Sequence, residues 1–105
     1  MDIPNISYIN ELSGNDIQFR ESFIQMLKDE FPLEKIEYID NINSNNTEAA
    51  WQIVHKLKHK MNILGLEESY KTAVIFEEEL RLGNSRLNDE FMKIMNTIEN
   101  FLKTI

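Results

Sequence analysis

An apolar stripe at helical spacing runs through the last fifth of the chain, and it restricts the possible folds more than any other part of the sequence. This spacing keeps side chains on one face of an α-helix, because an α-helix turns once in about 3.6 residues. The pattern therefore predicts a helix that packs one face against a core, with Asn84 or Ser85 as its N-terminal cap. Its apolar residues, at alternating intervals of four and three, are Leu87, Phe91, Ile94, Ile98, Phe101 and Ile105.

The first half of the chain predicts a short helix followed by a long one. The short helix covers residues 7–12 and is stopped by Ser13 and Gly14. Asn15 caps the long helix, with Asp16 in its first turn. Pro32 within the long helix predicts either a kink or a break there, and we favour the kink. The apolar stripe of the long helix consists of Phe23, Ile24, Leu27, Phe31, Ile36, Ile39 and Ile42.

Two more helices are predicted between the polar turn "NSNN" at residues 43–46 and Gly83. The first covers residues 47–64, and Gly65 stands where a left-handed residue would end it. No strand signal competes, and short connections between amphipathic helices favour antiparallel neighbours. We therefore expect a single all-α domain over residues 1–105, an up-and-down four-helix bundle with a short extra N-terminal helix. The stripe of the second helix is Leu66, Tyr70, Ala73, Phe76 and Leu80.

Composition and charge narrow the kinds of protein that this chain can be. Its 105 residues suit one domain, and no apolar run approaches the ~18 residues that span a bilayer. The chain contains no cysteine, which excludes disulfides and thiolate chemistry, and its start does not resemble a leader sequence. We expect a soluble, cytoplasmic, monomeric protein without a membrane partner. A net charge of −7 would repel nucleic acid, so we expect no nucleic-acid partner either.

The stretch "VHKLKHKMNILGL", residues 54–66, places a histidine on the outer face of a helix. His55 lies opposite the apolar face, with Lys58 and His59 as its neighbours one turn on. An exposed imidazole keeps a nucleophilic nitrogen accessible, and a nearby lysine can neutralise an anionic group attached to it. These properties are those that a phosphorylated histidine needs. The apolar face of this helix consists of Ala50, Val54, Leu57, Met61 and Leu64.

The same stretch resembles the signature of histidine-containing phosphotransfer (HPt) domains. The signature reads His, any residue, Leu, Lys, usually Gly, then small residues, an apolar residue and a closing Gly. Asp16, Phe19 and Phe31 also resemble positions of the family's long helix. Where most members have Gly and small hydroxyl residues, this chain has His59, Lys60 and Met61. The residues in register with the signature are His55, Leu57, Lys58, Leu64 and Gly65.

The resemblance implies a phosphorelay function. His55 would accept a phosphoryl group from the aspartyl phosphate of a response-regulator receiver domain and pass it to another receiver, and Lys58 would balance its charge. The receiver would supply Mg²⁺ and most catalytic groups, so the protein is expected to be a phosphate carrier without a cofactor and not an enzyme. A hybrid sensor histidine kinase is a further expected partner. Residues expected at the docking surface are Trp51, His59 and Asn62.

Other interpretations of these residues stay open on the sequence alone. The bundle could instead be a helical protein-interaction module that is not phosphorylated. His55 and His59 could both reach a metal ion, but no Cys or adjacent carboxylate on this helix completes a site, so we expect no metal. Trp51 could be a partner contact or could be covered by the neighbouring helix. The acidic run "EEE", residues 77–79, is interpreted as a solvated face.

Overall fold

The computed structural model describes residues 2–105, and the secondary structure of this part of the chain is entirely helical. Membrane-spanning helices are absent from residues 2–105, since none combines sufficient length with sufficient apolar character. The polar turn before α3 supplies its cap, because Asn46 Oδ1 accepts a hydrogen bond from Ala49 N at 3.1 Å. The five helices are α1 (Ser7–Ser13), α2 (Ile17–Asn43), α3 (Thr47–Ile63), α4 (Glu67–Arg81) and α5 (Asn88–Leu102).

Helices α2 to α5 surround one core. Each contacts the next along the chain, and α5 also contacts α2, while α1 packs on α2. Three aromatic rings lie at the centre, with the ring centroids of Tyr38 and Phe91 5.0 Å apart and those of Phe76 and Phe91 5.2 Å apart. All three side chains are fully buried. The predicted faces of α3 and α4 are the faces that this core covers.

Helix α2 differs from the prediction at its start and along its stripe. Its N-cap is Asp16, whose Oδ1 accepts from Phe19 N at 3.0 Å, so the assignment of the cap to Asn15 is wrong by one residue. Ile36 was placed on the buried stripe but is 57% exposed. Ile36 follows Phe31 by five positions, and this offset turns the Ile36 side chain by about 140° from the core direction. Tyr38 takes that place in the core.

Pro32 lies inside α2, and the helix runs through it without a break. The proline faces solvent. On this side the carbonyl that loses its hydrogen-bond donor can be hydrated, so the helix can continue past the proline. Of the two predicted outcomes, the break into two helices is therefore wrong.

The ends of α3 and α5 also depart from the prediction. Helix α3 ends at Ile63, one residue early, and Gly65 follows with a φ of +74°, in the left-handed region as predicted. Neither Asn84 nor Ser85 caps α5, which begins at Asn88. Asn84 Oδ1 instead accepts from the backbone of Arg86 at 2.9 Å, so it stabilises the turn before the helix.

The N-terminal segment closes the turn between α3 and α4. The N-cap residue of α4, Leu66, has no side chain that can accept a hydrogen bond, and Asp2 takes over this function. Asp2 Oδ2 accepts from Glu68 N at 2.8 Å, and its Oδ1 accepts from Ser69 Oγ at 2.8 Å. Asn5 N donates to Leu64 O at 2.8 Å. The segment thereby fixes the end of the helix that carries His55.

Candidate functional site

His55 projects from the middle of α3 on the side away from the core, as predicted. Val54 and Leu57 on either side of it are fully buried, which fixes the rotation of the helix. The His55 side chain is 49% exposed. The imidazole is therefore held by a rigid helix and remains accessible to another molecule.

Glu77 of α4 lies against His55 and Lys58. Its Oε1 is 2.8 Å from His55 Nδ1, and its Oε2 accepts from Lys58 Nζ at 2.9 Å. Only 10% of the Glu77 side chain and 14% of the Lys58 side chain are exposed. One carboxylate thus connects the two residues that the sequence singled out, and it does so in a largely desolvated position.

The electrostatics of this group keep Glu77 ionised. Burial alone would raise the pKa of the Glu77 carboxyl, but hydrogen bonds from Lys58 and His55 outweigh it and lower the pKa below the ordinary value. An ionised carboxylate only accepts hydrogen bonds, so the proton of a neutral His55 ring resides on Nδ1. The lone pair is then on Nε2, which has no hydrogen-bond partner among residues 2–105.

His59 is the second exposed ring at this site. Its centroid lies 5.2 Å from the centroid of His55, with the two ring planes at 88°. Because Lys58 turns inward to Glu77, His59 is the neighbour one helical turn after His55 that stays exposed to solvent. The two histidines therefore form an edge-to-face pair on successive turns of α3.

Trp51 and Asn62 lie on α3 before and after the histidine pair. Trp51 is half-buried, and the guanidinium of Arg81 from α4 lies 5.0 Å from its ring centroid, within the range of a cation–π contact. The neighbouring helix thus covers part of this ring. Asn62 is exposed about two turns after His55. Both residues frame the accessible face of the histidines.

Lys60, next to His59 in the sequence, belongs to a different ionic cluster. Its side chain is 9% exposed and lies against α2. Lys60 Nζ lies 2.9 Å from Glu30 Oε1 and 3.0 Å from Glu34 Oε1. This cluster joins α2 to α3 and leaves the histidine pair on another side of the helix.

The interpretation of residues 77–79 as a solvated face is wrong for Glu77. Glu78 is exposed, but Glu77 is buried and Glu79 is half-buried. The sequence contains a signal for this arrangement. Glu77 follows Ala73 by four residues and precedes Leu80 by three, so it occupies the apolar stripe of α4. A carboxylate within such a stripe requires a partner on the facing helix.

His55 and His59 are the histidines that could together reach a metal ion. Within residues 2–105, no cluster of three or more His, Cys, Asp or Glu side chains has the arrangement of a metal site. The polar atoms that converge at His55 are one carboxylate and one ammonium group. These groups suit the positioning of an imidazole.

Comparisons with known proteins give no relative for this chain. No protein-family model, no curated protein and no solved structure matches it.

Proposed function

We propose that the protein is a phosphorelay intermediate, in which His55 accepts a phosphoryl group from a receiver-domain aspartate and passes it to another receiver. The observation that carries this proposal is the contact between His55 Nδ1 and Glu77 Oε1 at 2.8 Å. It favours the tautomer in which Nε2, the exposed nitrogen, holds the lone pair. The resemblance of residues 55–65 to the HPt signature supports the same function.

The proposed transfer uses few protein groups. The lone pair of His55 Nε2 attacks the phosphorus of an aspartyl phosphate in line with the bond that breaks. An N–P bond forms, the P–O bond to the aspartate breaks, and the electron pair leaves with the aspartate carboxylate. The Nδ1 proton stays on the ring, where Glu77 stabilises the positive charge that develops. The reverse transfer to a second receiver follows the same path.

Lys58 supports this chemistry through Glu77. Its ammonium group is 2.9 Å from Glu77 Oε2 and helps to keep the carboxylate ionised. Its positive charge also lies one helical turn from His55, where it favours an anionic group on the ring. The receiver domain would supply Mg²⁺ and the remaining catalytic groups, so this protein acts as a carrier and not as an enzyme.

The arrangement of the helices is compatible with this function. We infer that α2 to α5 form an up-and-down four-helix bundle, with α1 as the short extra helix. In such a bundle the middle of α3 is a rigid platform, and the exposed face around His55 is free to meet a partner. Trp51, His59 and Asn62 are the α3 residues proposed to contact it.

Transfer from a phosphorylated receiver domain tests the proposal. Wild type, His55→Gln and His59→Gln, which removes the second imidazole, are each mixed with purified receivers that carry labelled phosphate on their aspartate. We expect a base-stable, acid-labile label on wild type and His59→Gln and none on His55→Gln. Absence of label from every receiver of the same cell, with helical content intact, would instead favour an interaction module that is not phosphorylated.

A further inference from the structure

A phosphoryl group on His55 Nε2 would lie beside His59. The ammonium group of Lys58 is already bound to Glu77 and is largely covered by protein. His59 is exposed, and its ring centroid is 5.2 Å from that of His55. Rotation of its side chain can bring a ring nitrogen to within hydrogen-bond distance of a phosphoryl oxygen, about 3 Å. His59 is thus the neighbour best placed to meet the new negative charge.

We infer that protonated His59 binds the phosphoryl group on His55 and makes the phosphorylated state dependent on pH. This inference rests on the proposed function, because it concerns a phosphoryl group on His55. Histidine is the side chain that changes charge near neutral pH, and a phosphoryl dianion beside it favours the charged ring. His59 would then bind this group tightly in mildly acidic conditions and weakly in basic ones.

The other charged side chains around this part of α3 are less well placed than His59 to bind a phosphoryl group on His55. On α3 itself, Lys56 is exposed three residues before His59, and its positive charge disfavours a second positive charge on His59. The two negative charges of a phosphoryl group on His55 would outweigh this repulsion. The neighbouring helices place ion pairs along this stretch. Glu77 of α4 pairs with His55 and Lys58, Glu30 and Glu34 of α2 pair with Lys60, and Arg81 of α4, beside Trp51, pairs with Glu78.

Charge on His59 should also affect how long the phosphoryl group persists. An ion pair between charged His59 and the phosphoryl group is present while the group is on the ring and is lost when the group leaves. It therefore stabilises the phosphorylated ground state. Charged His59 should slow spontaneous hydrolysis about two- to fivefold, which is the size of effect expected from one exposed ion pair.

The test uses phosphoramidate, a small phosphoryl donor that needs no partner protein. Its P–N bond breaks, an N–P bond to His55 forms, and ammonia leaves. The ¹⁵N shifts of the His59 ring are followed from about pH 5.5 to 8.5 before and after phosphorylation. We expect the midpoint of the His59 titration to move to higher pH on phosphorylation. An unmoved midpoint with a phosphorylated His55 overturns this inference and leaves the proposed function intact.

Hydrolysis rates of three variants provide the second readout. His59→Gln should lose the phosphoryl group faster than wild type in mildly acidic buffer and at the same rate in basic buffer. His59→Arg, which stays charged, should retain it at both pH values, and Lys93→Gln, at an exposed position of α5, serves as the surface control. Equal rates for wild type and His59→Gln at every pH would also overturn the inference. Failure of phosphoramidate to label His55 at all would count against the proposed function and the inference together.

Discussion

Glu77 Oε1 lies 2.8 Å from His55 Nδ1, so a carboxylate of α4 selects which nitrogen of an imidazole on α3 stays free. The carboxylate is itself held by Lys58 at 2.9 Å, and both of these side chains are largely covered. The exposed histidine is therefore positioned by a buried ion pair. This arrangement combines a fixed ring orientation with an accessible nucleophile, which are the two requirements for phosphoryl acceptance.

Glu77→Gln should slow phosphoryl acceptance about ten- to hundredfold, because a hydrogen bond to a charged group contributes about 1.5–3 kcal/mol. A glutamine amide can donate to Nδ1 as well as accept from it, so it no longer favours the tautomer with a free Nε2. Single-turnover transfer from a phosphorylated receiver measures the effect. Glu78→Gln, at the exposed neighbouring position, is the matched control and should transfer at the wild-type rate. Equal rates for the two variants would contradict this function of Glu77.

Acid should remove the stabilisation that ionised Glu77 provides. Burial alone would raise the pKa of Glu77, but the hydrogen bonds from Lys58 and His55 have the larger effect, so the pKa in the folded state lies below the ordinary value of 4.5. The stabilisation from this group is complete at pH values above the pKa of the unfolded state, and it is lost as the pH falls through the pKa of the folded state. The unfolding free energy of Glu77→Gln, from urea titrations between about pH 7 and 3, should therefore fall less steeply than that of wild type. Parallel curves would contradict the prediction.

Lys58→Ala should slow phosphoryl acceptance severalfold and leave measurable transfer, since Glu77 keeps its contact with His55. The same substitution leaves a largely buried carboxylate without its ammonium partner and should lower the unfolding free energy by about 1–3 kcal/mol. Urea denaturation and single-turnover transfer measure the two effects. In Lys58→Ala/Glu77→Gln the stability loss should be smaller than the sum of the single losses. Additive losses would show that the two residues do not interact.

Gly65→Ala should destabilise the protein more than Gly83→Ala. Both glycines have φ values in the left-handed region, +74° and +83°, so alanine is strained at each by about 1–2 kcal/mol. A Cβ on Gly65 would also lie 2.5 Å from the Asn5 side chain, while one on Gly83 meets nothing within 4 Å. Thermal unfolding of both variants, and of Gly65→Ala/Asn5→Ala, separates the two causes. The excess loss at Gly65 should shrink when Asn5 is shortened, and an unchanged excess would exclude this contact as its cause.

The local features of the fold were predictable from the sequence, because they depend on neighbouring residues. The predicted boundaries of α3 were correct to within one residue, since Asn46 and Gly65 act on their own helix ends. The outward direction of His55 followed from the periodicity of the buried residues around it. Asp16 in place of Asn15 shows the limit of such reasoning, because adjacent capping residues compete and the sequence does not rank them.

Contacts between distant residues were not predictable in the same way. Glu77 was interpreted as part of a solvated run, although it pairs with residues 19 and 22 positions earlier. Asp2 caps α4 across more than 60 positions of sequence. No local pattern specifies such partners, since they depend on how the helices pack. The stripe of α4 shows that Glu77 faces a neighbour, and only the packing of α3 against α4 shows which one.

The identity of the nitrogen that carries phosphorus after transfer from a receiver domain tests most directly whether Glu77 selects Nε2 of His55 as the nucleophile. In ¹⁵N-labelled protein, long-range ¹H–¹⁵N correlation with ³¹P coupling separates Nδ1 from Nε2 in both histidines. We expect phosphorus coupling at Nε2 of His55, with Nδ1 still protonated and facing Glu77. Phosphorus on Nδ1 of His55, or on His59, would contradict this expectation, because Glu77 would then not select the reactive nitrogen.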